Sequence, residues 1–291
     1  MSEAQQPYVC GHSARELKRL ELQGRYYEEL SRRFLEAAGI GAGMRVLDVG
    51  SGVGDLSLLV ADVVGAAGSV LGVDRAAEAV AVASERAQAR GLRNVAFRCA
   101  TLEEPSPGAA FDAVVGRFVL MHQQDPAAAL RAAARHVRAG GIVAFLESHM
   151  SGAVAGVHSW PHATMYHRVV STMVDIVTAA GSHPDMGLRL RRTYHEAGLP
   201  EPKLWLQARV DGGRDADVYR YVAESLRSML PLAERLGVEL PLAGDMDALE
   251  SQLREETIAG DGVLTSWLVV GAWCRTEPDR AGYTARSNST D

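Results

Sequence analysis

The chain has 291 residues, of which 47% are hydrophobic and 23% are charged, and its formal net charge is −6. This composition is typical of a globular protein with enough apolar material for one large α/β domain or two small ones. A negative net charge disfavours a surface that follows nucleic-acid phosphates, so we expect no nucleic-acid partner.

The cysteines and the hydropathy pattern indicate the compartment. Cys10, Cys99 and Cys274 are odd in number, lie far apart and lack C-x-x-C spacing. Such a set favours free thiols in a reducing environment. The sequence contains no charged-then-apolar leader and no apolar run of about 20 residues. We therefore expect a cytoplasmic protein without a membrane span.

Two helices are predicted within residues 1–40, ahead of the first strand. Ser13 and Glu16 form a capping-box pattern that begins the first helix. The second helix follows an apolar stripe and ends at Gly39. These helices are additions to the sheet that follows.

The stretch 45–57 combines a strand, a glycine turn and the start of a helix. Its first half is apolar apart from one acid, as suits a strand buried on both faces of a parallel sheet. Gly50, Gly52 and Gly54 then alternate with other residues, and glycines allow positive φ and a close approach of ligand to backbone. The helix start offers unpaired N–H groups. This pattern predicts a nucleotide-binding crossover.

The spacing of the loop discriminates between ligands. A dinucleotide site needs G-x-G-x-x-G, whereas this loop lacks the third glycine in register and places Asp55 where a pyrophosphate would be repelled. A second apolar strand ends in Asp74, and a carboxylate at that position accepts hydrogen bonds from ribose hydroxyls. We expect a nucleoside that carries a carboxylate and a cationic amine.

Strands and helices alternate through the first half of the chain. Strands are predicted at 94–99, 111–116 and 142–146, with intervening helices, the last of which begins at Pro126 and ends at the glycines 140–141. This alternation predicts a parallel sheet with right-handed crossovers, whose ligands bind beyond the carboxyl ends of the strands.

The second half is less regular, and we expect it to complete the sheet and to cap it. Predicted helices cover about 160–180, about 186–197, 219–230 and 246–258, and predicted strands cover 203–210 and 263–274. We divide the chain into N-terminal helices (1–40), a core (41–150), a remainder of the sheet (151–276) with cap insertions at about 151–182 and 211–262, and a polar tail (277–291) expected to be disordered.

Four segments, in order, resemble the motifs of class I S-adenosylmethionine-dependent methyltransferases. They are 46–54, 72–74, 111–115 and the stretch from Val119 to Pro126. The likeness covers roughly residues 8–147 and is closest to small-molecule enzymes of the ubiquinone/menaquinone-biosynthesis and natural-product kind. It implies an α/β, Rossmann-like, seven-stranded, mostly parallel sheet with helices on both faces and a helical cap.

The resemblance also implies S-adenosylmethionine as the cofactor. The residues that it assigns to the cofactor are Gly50, Ser51, Gly52, Asp74, Arg75, Thr101, Leu102, Arg117 and His122. Family members often have an aspartate after the third strand that holds the adenine amine, and Thr101 stands near that place here. N-terminal helices of the family fold over the cofactor, so Tyr8, Arg19, Gln23 and Tyr27 either reach it or only pack.

Histidines of the second half are the candidate general bases. We select His149, which follows the predicted fifth strand, and His162, at the start of the cap, because a neutral imidazole can accept a proton at pH 7. A nearby sulfonium would keep the His149 imidazole neutral by lowering its pKa, and Glu147 would either orient the imidazole or oppose that lowering. His158 and His162 are four residues apart, but Pro161 interrupts their turn and no acid or cysteine completes a set, so we expect no metal.

The resemblance implies methyl transfer from S-adenosylmethionine to an oxygen, nitrogen or carbon nucleophile of a hydrophobic small molecule, in specialised metabolism or quinone-like biosynthesis. The tryptophans Trp160, Trp205 and Trp267 favour such an acceptor. Two alternatives stay open: a pericyclase-like protein that binds the cofactor without methyl transfer, and a nicotinamide-dependent dehydrogenase, which the loop spacing disfavours. A homodimer is a further expectation.

Overall fold

The computed structural model describes residues 14–102, 104, 110–151, 158–240 and 246–277. The predictions for Tyr8 and Cys10, and for a disordered tail beyond residue 277, concern residues outside these ranges.

The described residues form ten strands and nine α-helices, joined by turns and loops. The strands are β1 (Arg45–Val49), β2 (Ser69–Asp74), β3 (Val95–Cys99), β4 (Phe111–Arg117), β5 (Val137–His149), β6 (Ser159–Trp160), β7 (Lys203–Gln207), β8 (Val210–Gly212), β9 (Val263–Thr265) and β10 (Leu268–Arg275). The helices are α1 (Ala14–Tyr26), α2 (Glu28–Ala38), α3 (Asp55–Val64), α4 (Ala77–Ala89), α5 (Pro126–Ala134), α6 (Thr164–Ala179), α7 (Met186–Glu196), α8 (Val218–Leu236) and α9 (Leu249–Ala259).

Seven strands form the main sheet, in the order β3-β2-β1-β4-β5-β10-β7. The first five are parallel, and β10 runs antiparallel to both of its neighbours. Neighbouring residues of a strand face opposite sides, and Gly271 meets Phe34 of α2 while Val270 meets Gly187 of α7. Helices therefore cover both faces, and the predicted seven-stranded, mostly parallel α/β fold is confirmed.

The strands predicted at 203–210 and 263–274 each divide into two. Their inner parts, β7 and β10, belong to the main sheet, whereas β8 and β9 join β6 in a separate antiparallel sheet. The division falls where Arg209 and Ser266 exchange hydrogen bonds: the Arg209 N–H donates to Ser266 Oγ at 3.0 Å, and the Ser266 N–H donates to the Arg209 carbonyl at 2.9 Å.

The fifth strand is longer than the predicted 142–146. Helix α5 ends at Ala134 and not at the glycines 140–141, because the Phe111 N–H donates to the His136 carbonyl and starts the ladder at Val137. A bulge follows, since Phe111 pairs with Val137 but Ala113 pairs with Ile142. At its other end β5 continues to His149.

A helical cap covers the carboxyl end of the main sheet. Helix α8 packs against α1, α6 and α9, and its apolar face is continuous with the core of the sheet. The helices predicted at 219–230 and 246–258 correspond to α8 and to a 3₁₀ turn followed by α9. Within the described residues, no helix has both the length and the apolar character needed to cross a membrane.

Candidate active site

The glycine loop between β1 and α3 is shaped by left-handed backbone. Gly50 and Gly52 have φ of +66° and +51°, values that residues with a Cβ rarely adopt. A Cβ on Gly50 would also lie 2.6 Å from Val119 Cγ2. Ser51, between them, is buried, and its N–H donates to the Val73 carbonyl at 3.0 Å, which joins the loop to β2. The loop thus presents bare backbone to the space above the sheet.

Asp74, at the end of β2, holds this loop in place. One carboxylate oxygen accepts the Gly52 N–H at 2.9 Å and the other accepts the Ala76 N–H at 2.9 Å. A carboxylate offers about four lone-pair sites, so these two bonds leave acceptor capacity. Asp74 lines the cavity described below, and it is suited to receive hydroxyl donors there.

Asp55 is a structural residue of α3. Its carboxylate receives the guanidinium of Arg86 at 2.7 Å, and both side chains are largely shielded from solvent. A Cβ on Gly24 of α1 would lie 2.3 Å from Asp55 Cγ, so α1 packs directly on this residue. Arg86 therefore balances the negative charge of Asp55, which we expected to repel a pyrophosphate.

A cavity of about 340 Å³ lies above the loop, at the small end of the range of ligand pockets. The sequence-predicted residues that line it are Gly50, Gly52, Asp74, Arg75, Thr101, Leu102, Arg117 and His122. Ser51 lies behind the lining. We call the part formed by Gly50, Gly52, Asp74, Thr101 and Leu102 the loop end.

The other part of the cavity is apolar and is formed mainly by the cap. Its lining includes Met150, Met173, Val177, Met229 and Trp267, which we call the apolar end. These residues come from the end of β5, from α6 and α8, and from the turn before β10. Methionine side chains are flexible and polarizable, so such a surface adapts to apolar ligands of varied shape.

Helix α1 contributes charged and polar groups to the same cavity. Arg19 donates to Glu16 through two nitrogens, at 2.8 and 2.7 Å, and to Gln23 Oε1 at 2.5 Å. All three residues line the cavity, so of the two alternatives left open for Arg19 and Gln23 the structure favours a position at the cavity. Tyr27 instead packs in the core, with its ring 5.6 Å from that of Tyr221.

The turn after β4 is held by a buried acid. Phe118 has φ of +57°, a strained value for a bulky residue, and lines the cavity. Glu147 accepts the N–H groups of the next three residues, Val119, Leu120 and Met121, at 3.0, 2.7 and 3.2 Å. Burial raises the pKa of Glu147 to about 7, although these hydrogen bonds act in the opposite direction. Glu147 therefore supports the turn and does not orient His149.

His122 follows this turn, and its imidazole lines the cavity. Its Nδ1 lies 3.2 Å from Ser182 Oγ. Burial, reinforced by the positive charges of Arg19 and Arg75 and by His183, lowers the pKa of His122 to about 4. The ring is neutral at pH 7.

The two histidines proposed as bases do not line the cavity. Because β5 continues through His149, its side chains alternate: Ser148 and Met150 line the cavity, and His149 lies beside Gly187 of α7 on the other face. His162 stacks on His167 within the cap, with 4.4 Å between ring centroids. In the part of the chain that the structure describes, no group of three histidines, cysteines or acids is placed to hold a metal.

Sequence reasoning missed the cavity residues of the cap. Tyr221, Ser225 and Met229 recur every fourth residue in α8 and line the cavity together. Their spacing marks one face of a helix, but an apolar helix face reads equally well as core. To select these residues from the sequence, one would have to know which side of α8 meets the edge of the sheet, and that depends on tertiary structure.

Comparisons with known proteins identify the family of the chain. A family model described as a methyltransferase domain matches residues 40–198, more than half of the chain. The ubiquinone/menaquinone biosynthesis C-methyltransferase UbiE of Cellvibrio japonicus is 31% identical over 201 residues, which cover 68% of this chain and 66% of that protein. The aklanonic acid methyltransferase DauC of a Streptomyces species is 33% identical over 121 residues, which cover 41% and 55%.

The matches thus span just under two thirds and just over half of those relatives' own lengths. Among solved structures, YcgJ from Bacillus subtilis superposes with a TM-score of 0.53 over 86% of this chain and 99% of that one, at 18% identity. That likeness concerns the fold. The family match shows that the chain belongs to the class I S-adenosylmethionine-dependent methyltransferases, and the geometry of the glycine loop agrees with this family.

Proposed function

We propose that the protein transfers a methyl group from S-adenosylmethionine to an oxygen, nitrogen or carbon nucleophile of a hydrophobic small molecule. One observation carries the proposal: the same cavity joins the loop end, with Gly50 and Asp74, to the apolar end, with Met173, Met229 and Trp267. The relatives named for quinone biosynthesis and for aklanonic acid support a ring-bearing, largely apolar acceptor.

The residues of the loop end fit the cofactor. Gly50 and Gly52 provide a backbone surface without side chains, and the spare acceptor sites of Asp74 suit ribose hydroxyls. We assign the adenine to Thr101 and Leu102, which line the cavity at the loop end, and the Leu102 carbonyl is held 3.0 Å from His136 Nε2.

Helix α1 is suited to the amino-acid part of the cofactor. Arg19 offers a cation for its carboxylate and Glu16 an anion for its amine, at the cost of loosening their mutual ion pair. The two side chains are buried, so this exchange takes place away from bulk water, where charge pairs are strong. This closure by α1 agrees with the expected role of the N-terminal helices.

The chain's own contribution to the chemistry is mainly positioning. S-adenosylmethionine brings a methyl group already activated by a sulfonium, and alignment of two reactants can supply about 7–11 kcal/mol. We assign to the neutral His122 a hydrogen bond from the acceptor, in place of the roles first proposed for His149 and His162, because His122 lines the cavity. A pKa near 4 makes it a weak base.

Calorimetry and label transfer test the proposal together. We expect S-adenosylhomocysteine to bind the purified protein, NADH not to bind, and tritium from methyl-labelled cofactor to enter an apolar fraction of a cell extract. Cofactor binding without label transfer would favour the pericyclase-like alternative, and NADH binding would favour the dehydrogenase. A cytoplasmic location, in keeping with the free thiols of Cys99 and Cys274, and a homodimer stay predictions.

A further inference from the structure

One hydroxyl at the apolar end of the cavity is buried without a partner. The side chain of Ser225 is 2% exposed and lines the cavity. Its Oγ approaches the Tyr221 side chain but makes no hydrogen bond of ordinary geometry to it or to any other residue in the described ranges. Buried polar groups in proteins are nearly always hydrogen-bonded, so an exception that faces a ligand cavity indicates a ligand atom.

The position of Ser225 along α8 places it between Tyr221 and Met229 on the cavity face of the helix. Tyr221, Ser225 and Met229 lie on one helix face, and four residues of α-helix advance by about 6 Å. The Tyr221 ring packs 5.6 Å from Tyr27, which packs 5.3 Å from Phe118 at the carboxyl end of β4. Ser225 is therefore one helical turn from Tyr221, and Met229 is one turn farther.

The remainder of the apolar end offers few competing polar groups. Met173 and Val177 of α6 line it together with Trp267. Ser148 also lines the cavity, but its hydroxyl already donates to Met121 Sδ at 3.3 Å. The Tyr221 hydroxyl and the Trp267 indole N–H are near each other, so Ser225 adds a hydroxyl to a small polar group in this compartment, and a ligand oxygen placed away from that group would lose its hydrogen bonds to water.

We infer that the Ser225 hydroxyl hydrogen-bonds a carbonyl or hydroxyl oxygen of the methyl acceptor. The inference rests on the proposed function, since it assigns the apolar end to the acceptor. It narrows the substrate class to apolar molecules that carry a keto or hydroxy group. A site built around one substrate oxygen discriminates against the analogue that lacks it, so Ser225 determines specificity.

Two probes that differ by one hydroxyl test the inference: 2-naphthol and naphthalene, titrated by calorimetry into protein saturated with S-adenosylhomocysteine. The dissociation constant of naphthalene divided by that of 2-naphthol should be about fivefold larger in the wild type than in Ser225→Ala. This factor is the effect of one neutral hydrogen bond. Ser228→Ala is the matched control, because Ser228 lies on the same helix, donates to the Ser225 carbonyl and does not line the cavity.

Thermal unfolding of Ser225→Ala without ligand supplies a second readout. Removing a hydroxyl that has no partner should leave the melting temperature unchanged or higher, whereas a structural serine would lower it. An unchanged probe ratio, a wild type that binds neither probe, or a less stable Ser225→Ala protein would overturn the inference. Failure of the proposed function has a different signature: wild-type protein that does not bind S-adenosylhomocysteine.

Discussion

The loop end and the apolar end of the cavity are built in different ways. The loop end comes from short segments that each follow a strand, and its key residues are tied to the backbone of those segments. The apolar end comes from α6, α8 and the turn before β10, which are far apart in sequence. Under the proposed function, local geometry would hold the cofactor that the family shares, and side chains that the cap brings together would hold the acceptor specific to this protein.

The largest effect should follow from removing the acid of the loop end. Asp74→Ala should weaken S-adenosylhomocysteine binding by about a hundredfold, since two hydrogen bonds to a charged group are lost. Asp62→Ala serves as the control, because Asp62 is a surface residue paired with Arg90. Calorimetry measures both. Equal affinity in wild type and Asp74→Ala would mean that the ribose binds elsewhere.

The buried acid that holds the turn after β4, Glu147, should make stability depend on pH. The pKa of Glu147 is raised from 4.5 to about 7 in the folded state, so its stabilising protonation is complete below pH 4.5 and is lost as the pH rises through 7. The free energy of unfolding of the wild type, relative to Glu147→Gln, should fall by on the order of 2 kcal/mol between pH 5 and 8.

Denaturant titrations across this pH range measure that difference. The control is Asp112→Asn: its carboxylate, which accepts the Arg45 N–H and pairs with Arg138, has a lowered pKa, so its contribution is constant above pH 5. A wild type and a Glu147→Gln variant with parallel pH profiles would mean that Glu147 is ionised throughout.

Gly50→Ala should show that the loop end depends on backbone shape. An added Cβ meets Val119 at 2.6 Å and strains a φ of +66°, so we expect cofactor affinity to fall by about tenfold, as for strain of 1–3 kcal/mol at one residue. Gly65→Ala is the control, because Gly65 has nearly the same φ, +65°, but open space where the Cβ would lie. It should lower stability but leave cofactor affinity unchanged. Similar losses of affinity in the two variants would exclude a specific role for the loop.

The smallest effect is expected where α1 meets the cap. Tyr26 donates to Asp211 at 2.9 Å and stacks on Tyr221, with Arg209 over its other face. Tyr26→Phe keeps the stacking and loses the hydrogen bond, so the free energy of unfolding should fall by about 1 kcal/mol. Cofactor affinity should change less than twofold. A large loss of affinity would show that α1 closure depends on this hydroxyl.

The same contrast explains what could be predicted from the sequence. Asp74 and the glycine loop were found because strand, turn and helix are adjacent in sequence and their spacing carries the geometry. His149 was predicted to face the site of methyl transfer, but it does not line the cavity. The sequence pattern ended the strand at residue 146, whereas β5 continues to His149 and its side chains alternate between the two faces. Ser225 could not be selected, because its exposure to the cavity depends on how α8 lies against α1 and α6.

A crystal structure of the protein grown with S-adenosylhomocysteine tests the central claim most directly, that one cavity holds the donor at its loop end and the acceptor at its apolar end. We predict the ribose hydroxyls within hydrogen-bonding distance of Asp74 and the sulfur directed toward Met173, Met229 and Trp267. A nucleoside bound away from Asp74, or a sulfur separated from those side chains by protein, would contradict the account.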